Sequence, residues 1–346
     1  MKYKMLGRTG LFVSEMCLVT MTFGQSEGRY AAASGVMQED ADEIIKHAFA
    51  EGVNFIDTAN VYAGGQSEEI VGQSIKNLGL KRDELVLATK MGHATGGGPN
   101  DGGNSRHHIV AQVKQSLKRL GTYYIDLYQL HGLDPATPMD ETIRALDDLV
   151  QQGLVRYTGV SNWAAWQIQK ALGISAQQGK ASFESVQSYY SLAGRDIERE
   201  ILPMLDSENL GLLVFSPLAG GYLSGKYKNG DGDGRRATIQ FPPVDEAKSA
   251  PVLVILEQIA KEHNTTMAAI SLAWLTQKKS VTSVIMGVKG IDQLYDNLNA
   301  VKIILTEDDI QKLNEASQLP VEYPAWMMAA NQPREELLRT GELVKQ

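Results

Sequence analysis

Four side chains with complementary proton-handling properties stand beside the ends of apolar runs. They are the carboxylate of Asp57 and the phenol of Tyr62 in NFIDTANVY, the amine of Lys90 in LVLATK, and the imidazole of His131 in IDLYQLH. A phenol titrates near about 10 in water, so at neutral pH it is a poor proton donor unless a neighbour favours its ionised form. A lysine ammonium supplies such a charge, which makes Tyr62 and Lys90 a candidate acid–base pair. Taken singly, each residue also has an ordinary role: Tyr62 as rim packing, Lys90 as a solvated cation, His131 as a core histidine and Asp57 as a cap. Their grouping at the ends of apolar runs is the signal.

The elements that would position them alternate along the chain. Apolar runs near 16–20, 53–57, 85–89, 125–130, 155–160, 184–187, 211–215 and 281–286 read as eight buried strands, with helical segments between. In the second helix, Ser67, Glu68 and Glu69 mark the start, where acids favour the positive helix end, and Ile70, Val71, Ser74 and Ile75 form a buried stripe. Polar groups gathered at strand ends are expected of a (β/α)8 TIM barrel, whose active site is built on its C-terminal rim. An open dinucleotide-binding sheet is disfavoured: VTMTFGQSEG follows the first run and lacks G-x-G-x-x-G. Residues 2–14 read as a β-hairpin turning at LGRTG, a plug for the barrel bottom. Two long loops, 93–108 and about 217–248, are placed on the rim. The KNGDGDGRR stretch of the second fits a surface insertion or a ligand clamp equally well. The proline-punctuated tail 316–346 is expected over the barrel mouth, so that residues 1–346 make one domain.

The chain has 346 residues, 43% of them hydrophobic, and a formal charge of -8 without long like-charged blocks, which excludes an extended basic nucleic-acid surface. Cys17 is the one cysteine, so an internal disulfide framework and a cysteine zinc cage are both excluded. No apolar run approaches the roughly 18 residues of a membrane span and MKYKMLGRTG lacks a signal-peptide core, so a cytoplasmic protein without a membrane partner is expected. His93, His107, His108 and His131 lack metal-ligand spacing; no metal site is expected, and the adjacent His107 and His108 are expected to face solvent. Gly220 to Lys226 imitates a phosphate loop, but Tyr227 stands where a magnesium-binding Ser or Thr is required.

The order Asp57, Tyr62, Lys90, His131 in these contexts, together with KMLGRTGLFVS, SNW at 161–163, FSPLAGGYLSGKY at 215–227 and MGVKGIDQLYDNL at 286–298, resembles the aldo-keto reductase superfamily, in the branch of potassium-channel β-subunits and aryl-alcohol dehydrogenase-like enzymes. The resemblance runs to about residue 315. It implies an NADPH-dependent oxidoreductase, with NAD as an open alternative, interconverting aldehydes or ketones and alcohols by direct hydride transfer without metal or flavin. Tyr62 would be the general acid, Lys90 would lower its pKa, Asp57 would fix Lys90, and His131 would orient the substrate oxygen. The same resemblance assigns cofactor contact to Ser161, Asn162 and Gln187, ring stacking to Tyr190 with Tyr189 pointing away, pyrophosphate contact to Ser216, Leu218, Gly221 and Lys226, and the adenosine half to Gly287, Lys289, Gln293 and Asn297. Lys289 would face a 2′-phosphate without the bidentate fork of an arginine, or stand uninvolved in solvent. Val19 departs from the family pattern, LVTMTFG against LGTMTFG, and either crowds the pocket or points harmlessly into the barrel. Trp326 and Met327 are candidate substrate-pocket residues for a small carbonyl or alcohol partner. Channel-associated β-subunits share the barrel, so a cofactor-binding sensor with little turnover is the alternative, and homo-oligomerisation stays open.

Overall fold

The computed structural model describes residues 1–27, 31, 33–227, 236, 239–328 and 337. Strands β1 (Tyr3–Met5) and β2 (Phe12–Ser14) form an antiparallel hairpin. Eight further strands, β3 (Met16–Val19), β4 (Phe55–Asp57), β5 (Val86–Met91), β6 (Ile125–Leu130), β7 (Val155–Ser161), β8 (Phe183–Tyr189), β9 (Gly211–Phe215) and β10 (Ser283–Gly287), pair in chain order. All eight are parallel and β10 closes on β3, which is the (β/α)8 barrel expected from the alternation. The helices are α1 (Gln38–Ala50), α2 (Gln66–Asn77), α3 (Arg106–Leu120), α4 (Met139–Gln151), α5 (Ala165–Gln178), α6 (Ile201–Glu208), α7 (Glu246–Glu262), α8 (Met267–Thr276), α9 (Ile291–Asn299), α10 (Glu307–Ala316) and the short α11 (Ala325–Met328).

Alternate strand residues point to opposite faces, and here they divide between two apolar clusters. Cys17, Phe55, Val86, Ala88, Leu127, Leu213 and Ile285 fill the barrel interior, whereas Leu18, Ile56, Leu87, Tyr128, Val186, Leu212 and Val284 pack outward under the helices. Leu6 and Val13 of the hairpin join the inner cluster, so the hairpin closes the N-terminal end of the barrel. Gly7 permits this closure: its φ is +58°, and a Cβ there would lie 2.1 Å from the carbonyl oxygen of Glu184 at the start of β8. Each fully buried aliphatic of this kind stabilises by about 1.5–3 kcal/mol.

Helix α2 begins at Gln66, so Ser67, Glu68 and Glu69 stand in its first turn, as expected from the sequence. Gly65 occupies the N-cap, and Ser67 and Glu68 are buried. Ser67 donates to the Thr20 carbonyl, and Glu68 accepts from Thr89 Oγ1 and pairs with Arg119. The reason is tertiary: strand β5 and helix α3 supply polar partners that a lone helix would lack. His108 is likewise buried, not solvent-facing, because in the first turn of α3 its ring meets the backbone of His93 and Asn100 in the preceding loop; its neighbour His107 is exposed. No described helix is long and apolar enough to cross a membrane. Most of KNGDGDGRR, and tail residues 329–336 and 338–346, fall outside the described residues.

Candidate active site at the barrel mouth

The interior parity carries straight to the C-terminal rim. Continuing two residues at a time from the inner cluster places Val19, Asp57, Lys90, Gln129, Ser161, Gln187, Phe215 and Gly287 on one inward-facing layer. Tyr62 is not on a strand. It opens a single turn, Tyr62–Gly65, in which Ala63, Gly64 and Gly65 all have positive φ, and this reversal brings the phenol back over the end of β5. Left-handed backbone at Ala63 costs about 1–2 kcal/mol, and it places Tyr62 where a regular helix start would not.

Lys90 is fully buried. Its ammonium has three hydrogens and three acceptors: Asp57 Oδ2, the Thr58 carbonyl at 2.9 Å and the Tyr62 hydroxyl oxygen at 3.1 Å. Burial pulls the lysine pKa down, but the charges of Asp57 and Tyr62 and their hydrogen bonds outweigh it, so the net shift is upward and Lys90 is cationic at neutral pH. The other Asp57 oxygen accepts from Gln129 Nε2 at 2.8 Å. His131 stacks edge-on to Tyr62 at 5.9 Å and tilts against His93 at 4.3 Å. Burial, and then the positive field of Lys90, hold its pKa well below the usual histidine range, so its ring is neutral. Its Nδ1 is buried without a partner among the described residues. Beside it lies a rim cavity of about 230 Å³ lined by His93, Gly132, Leu133 and Asp134.

Around this centre, Asn162 adopts φ +62° and donates to the His131 carbonyl and to Ser161 Oγ. Gln187 donates to Gln129 Oε1 at 3.2 Å. After β9 the chain turns through a cluster of left-handed residues, Ser216, Ala219, Gly220, Gly221 and Gly225, in and around the turn Ala219–Ser224, with Leu218 before that turn and Lys226 exposed after it. Gly287, exposed at the end of β10, leads into α9; the Lys289 N–H donates to Gln293 Oε1 at 2.8 Å, and Asn297 is buried on the same helix.

Three candidates lie elsewhere. Tyr190 points away from the barrel interior: it is buried against Trp274 at 5.4 Å and donates to Glu198. Burial and Glu198 push its phenol far up. Tyr189 is the one on the face of Gln187, and it meets Phe215 at 6.0 Å. Parity counted from Gln187 would have found this, since positions 187 and 189 share a face and 190 does not. Trp326 rests edge-on against Tyr323, and it and Met327 are about half exposed, at 54% and 52%. Two inward residues, Gln129 and Phe215, were not singled out from sequence, although both stand inside the quoted motifs.

A closed parallel barrel with a buried lysine between a carboxylate and a phenol at its C-terminal rim is the architecture of a (β/α)8 barrel enzyme. The chain belongs to the aldo/keto reductase family, whose family model matches residues 15–318. It is 36% identical over 328 residues, covering 92% of this chain and 97% of the other, to a protein of Arabidopsis thaliana named "Probable voltage-gated potassium channel subunit beta". It is 35% identical over 324 residues, 91% and 95% of the two chains, to an uncharacterized oxidoreductase of Bacillus subtilis (strain 168). It is also 32% identical over 336 residues, 91% and 96%, to the versiconal hemiacetal acetate reductase of Aspergillus parasiticus. The protein is accordingly an oxidoreductase of the carbonyl–alcohol type, in a family that uses nicotinamide cofactors.

Proposed function

We propose that the protein reduces aldehydes or ketones to alcohols with NADPH, Tyr62 giving the proton to the substrate oxygen. The observation that carries this reading is the Lys90 ammonium, buried and touching both Asp57 and the Tyr62 hydroxyl. A cation held there stabilises the phenolate that remains after proton donation, so it raises the acidity of Tyr62 in the transition state. Asp57 keeps the lysine charged and aimed. Neutral His131, next to Tyr62, can donate a hydrogen bond to the substrate oxygen without carrying charge into the pocket.

The rim residues fit a nicotinamide dinucleotide. Ser161, Asn162 and Gln187 place hydroxyl and amide groups on adjoining strand ends, fitting a carboxamide. Phe215, inward and half-buried, offers a flat apolar face and takes the ring-contact role expected of Tyr190. The turn with left-handed backbone at Ser216 and Gly221, with Leu218 between them and Lys226 after it, bares backbone where a pyrophosphate would lie. Gly287 and Lys289 before α9, Gln293 in its first turn and Asn297 further along it would hold the adenosine half, with Lys289 facing a 2′-phosphate. When bound, the dinucleotide supplies the hydride. The tail with Trp326 and Met327 would bound the substrate side, since Arg199, in the loop after β8, bonds the Pro320 carbonyl and pairs with Glu322.

The test is NADPH oxidation against aromatic aldehydes, ketones and sugars, beside Tyr62→Phe and repeated with NADH. Turnover that falls by about 10²–10⁴-fold in the variant supports the acid assignment; an active variant overturns it. The potassium-channel names among the relatives favour a second reading, a cofactor-binding subunit of a larger assembly. Tight NADPH binding without turnover on any carbonyl would decide for that reading.

A further inference from the structure

Asp57 holds Lys90, and Asp57 is itself held by a group outside the tetrad. Gln129 stands on β6, two residues before His131, on the inner face and fully buried. Its Nε2 donates to Asp57 Oδ1 at 2.8 Å, while its Oε1 accepts from Gln187 at 3.2 Å. Gln187 also reaches Asp57 Oδ1, but at 3.4 Å, outside the usual N–H···O range. The distances therefore identify Gln129 as the principal side-chain donor to that oxygen.

The neighbouring strand is shaped for this amide. At Gly159 on β7 a Cβ would lie 3.2 Å from Gln129 Cγ and 2.6 Å from Ser185 Oγ, so a side chain there would displace one or both. A primary amide in a barrel otherwise filled by Phe55, Leu127 and Leu213 costs about 1–3 kcal/mol unless its hydrogen bonds are made. An apolar side chain would fill the space without that cost, so the amide is there for its hydrogen bonds. Around Asp57 the charged and titratable groups are Lys90 from β5, Tyr62 from the turn after β4, His131 and His93 at the rim, and the Cys17 thiol on β3, which feels the Asp57 charge.

We propose that Gln129 is a positioning residue: by fixing Asp57 it sets the direction of the Lys90 ammonium and hence the field at the Tyr62 hydroxyl. This rests on the reading of Tyr62 as the proton donor. Without the Gln129 donor the Asp57 carboxylate stays on Lys90 but is less neutralised. More of the lysine charge is then cancelled, and the Tyr62 phenolate is less favoured. Tyr62 then titrates at higher pH.

The experiment compares the native protein, Gln129→Met and Gln187→Met, each with and without Tyr62→Phe. The alkaline phenolate difference spectrum within each pair isolates the Tyr62 titration in the free protein. In Gln129→Met that titration is expected to rise by about half a unit or more, and by more than in Gln187→Met. Its kcat for an aldehyde should fall about tenfold, part of the roughly 10²–10⁴-fold that a positioned acid contributes. KM should stay within about threefold. An unchanged titration and kcat beside an inactive Tyr62→Phe would overturn the inference. An active Tyr62→Phe would instead overturn the acid assignment, and the titration shift alone would then decide whether Gln129 governs the field at Tyr62. If Gln129→Met does not fold, Gln129→Asn keeps a buried amide one methylene shorter, and the same upward shift is expected of it.

Discussion

At the scale of single residues, Asp57, Lys90 and Tyr62 are joined by hydrogen bonds as one unit, and under the proposed function their contributions to stability and turnover should separate. Lys90→Met leaves the Asp57 carboxylate buried without its cation, and breaking a buried pair in this way costs about 3–5 kcal/mol. A urea unfolding curve should show that loss, whereas Tyr62→Phe, which removes one rim hydroxyl, should unfold within about 1 kcal/mol of the native protein. His131 is held neutral, so kcat/KM should show no inflection near the usual histidine pKa of about 6.5. A clear break there that vanishes in His131→Asn would mean that the ring titrates in the active protein. Val19 is half-buried at the end of β3, and a Cβ at Gly287 opposite would come 3.3 Å from its Cγ1. The bare Gly287 backbone therefore makes room for this valine. We expect Val19→Gly to raise kcat/KM for bulky ketones or tighten cofactor binding several-fold; if both stay unchanged in steady-state and fluorescence measurements, the crowding idea is wrong.

Among the elements, the hairpin and β7 matter most to the site, for different reasons. The hairpin supports the barrel from below, and Leu6→Ala removes a fully buried side chain from the inner cluster, at an expected cost of about 2–5 kcal/mol with little change in KM of the folded fraction. Thermal unfolding paired with steady-state kinetics checks both parts. Strand β7 matters through what it omits, since Gly159 leaves the space that Gln129 uses. The strand positions were legible in sequence because a barrel strand buried on both faces is a continuous apolar run. The first-turn acids of α2 were legible too, but the burial of Glu68 was not, because its partners Thr89 and Arg119 come from other elements.

Over the whole molecule, the pKa shifts set how stability follows pH. His131 and His93 have folded-state values below the unfolded value, so as pH falls below about 6.5 the unfolded chain takes up protons that the folded one refuses, and stability drops. Lys90 is shifted the other way: its contribution is complete below about 10.5 and is lost as pH rises through its higher folded value. Tm should therefore form a plateau at neutral pH and decline on both sides; a Tm that climbs from neutral pH toward pH 5 would contradict the neutral-histidine assignment.

The sequence by itself determined the eight-strand alternation, the plugging hairpin and the chemical types gathered at the strand ends, because hydrophobic periodicity and strand-end polarity are local properties of the chain. It also carried the family, through motifs whose order survives in one dimension. Tertiary structure alone decided which side chains share the interior. Tyr190 fell on the outer face and Phe215 on the inner one. His108 was drawn inside, and Gln129, between two quoted motif residues, proved to be the amide that meets Asp57. The physical reason is closure: only when β10 pairs with β3 do residues far apart in the chain, such as Asp57, Gln129 and Gln187, come within hydrogen-bonding distance across one interior.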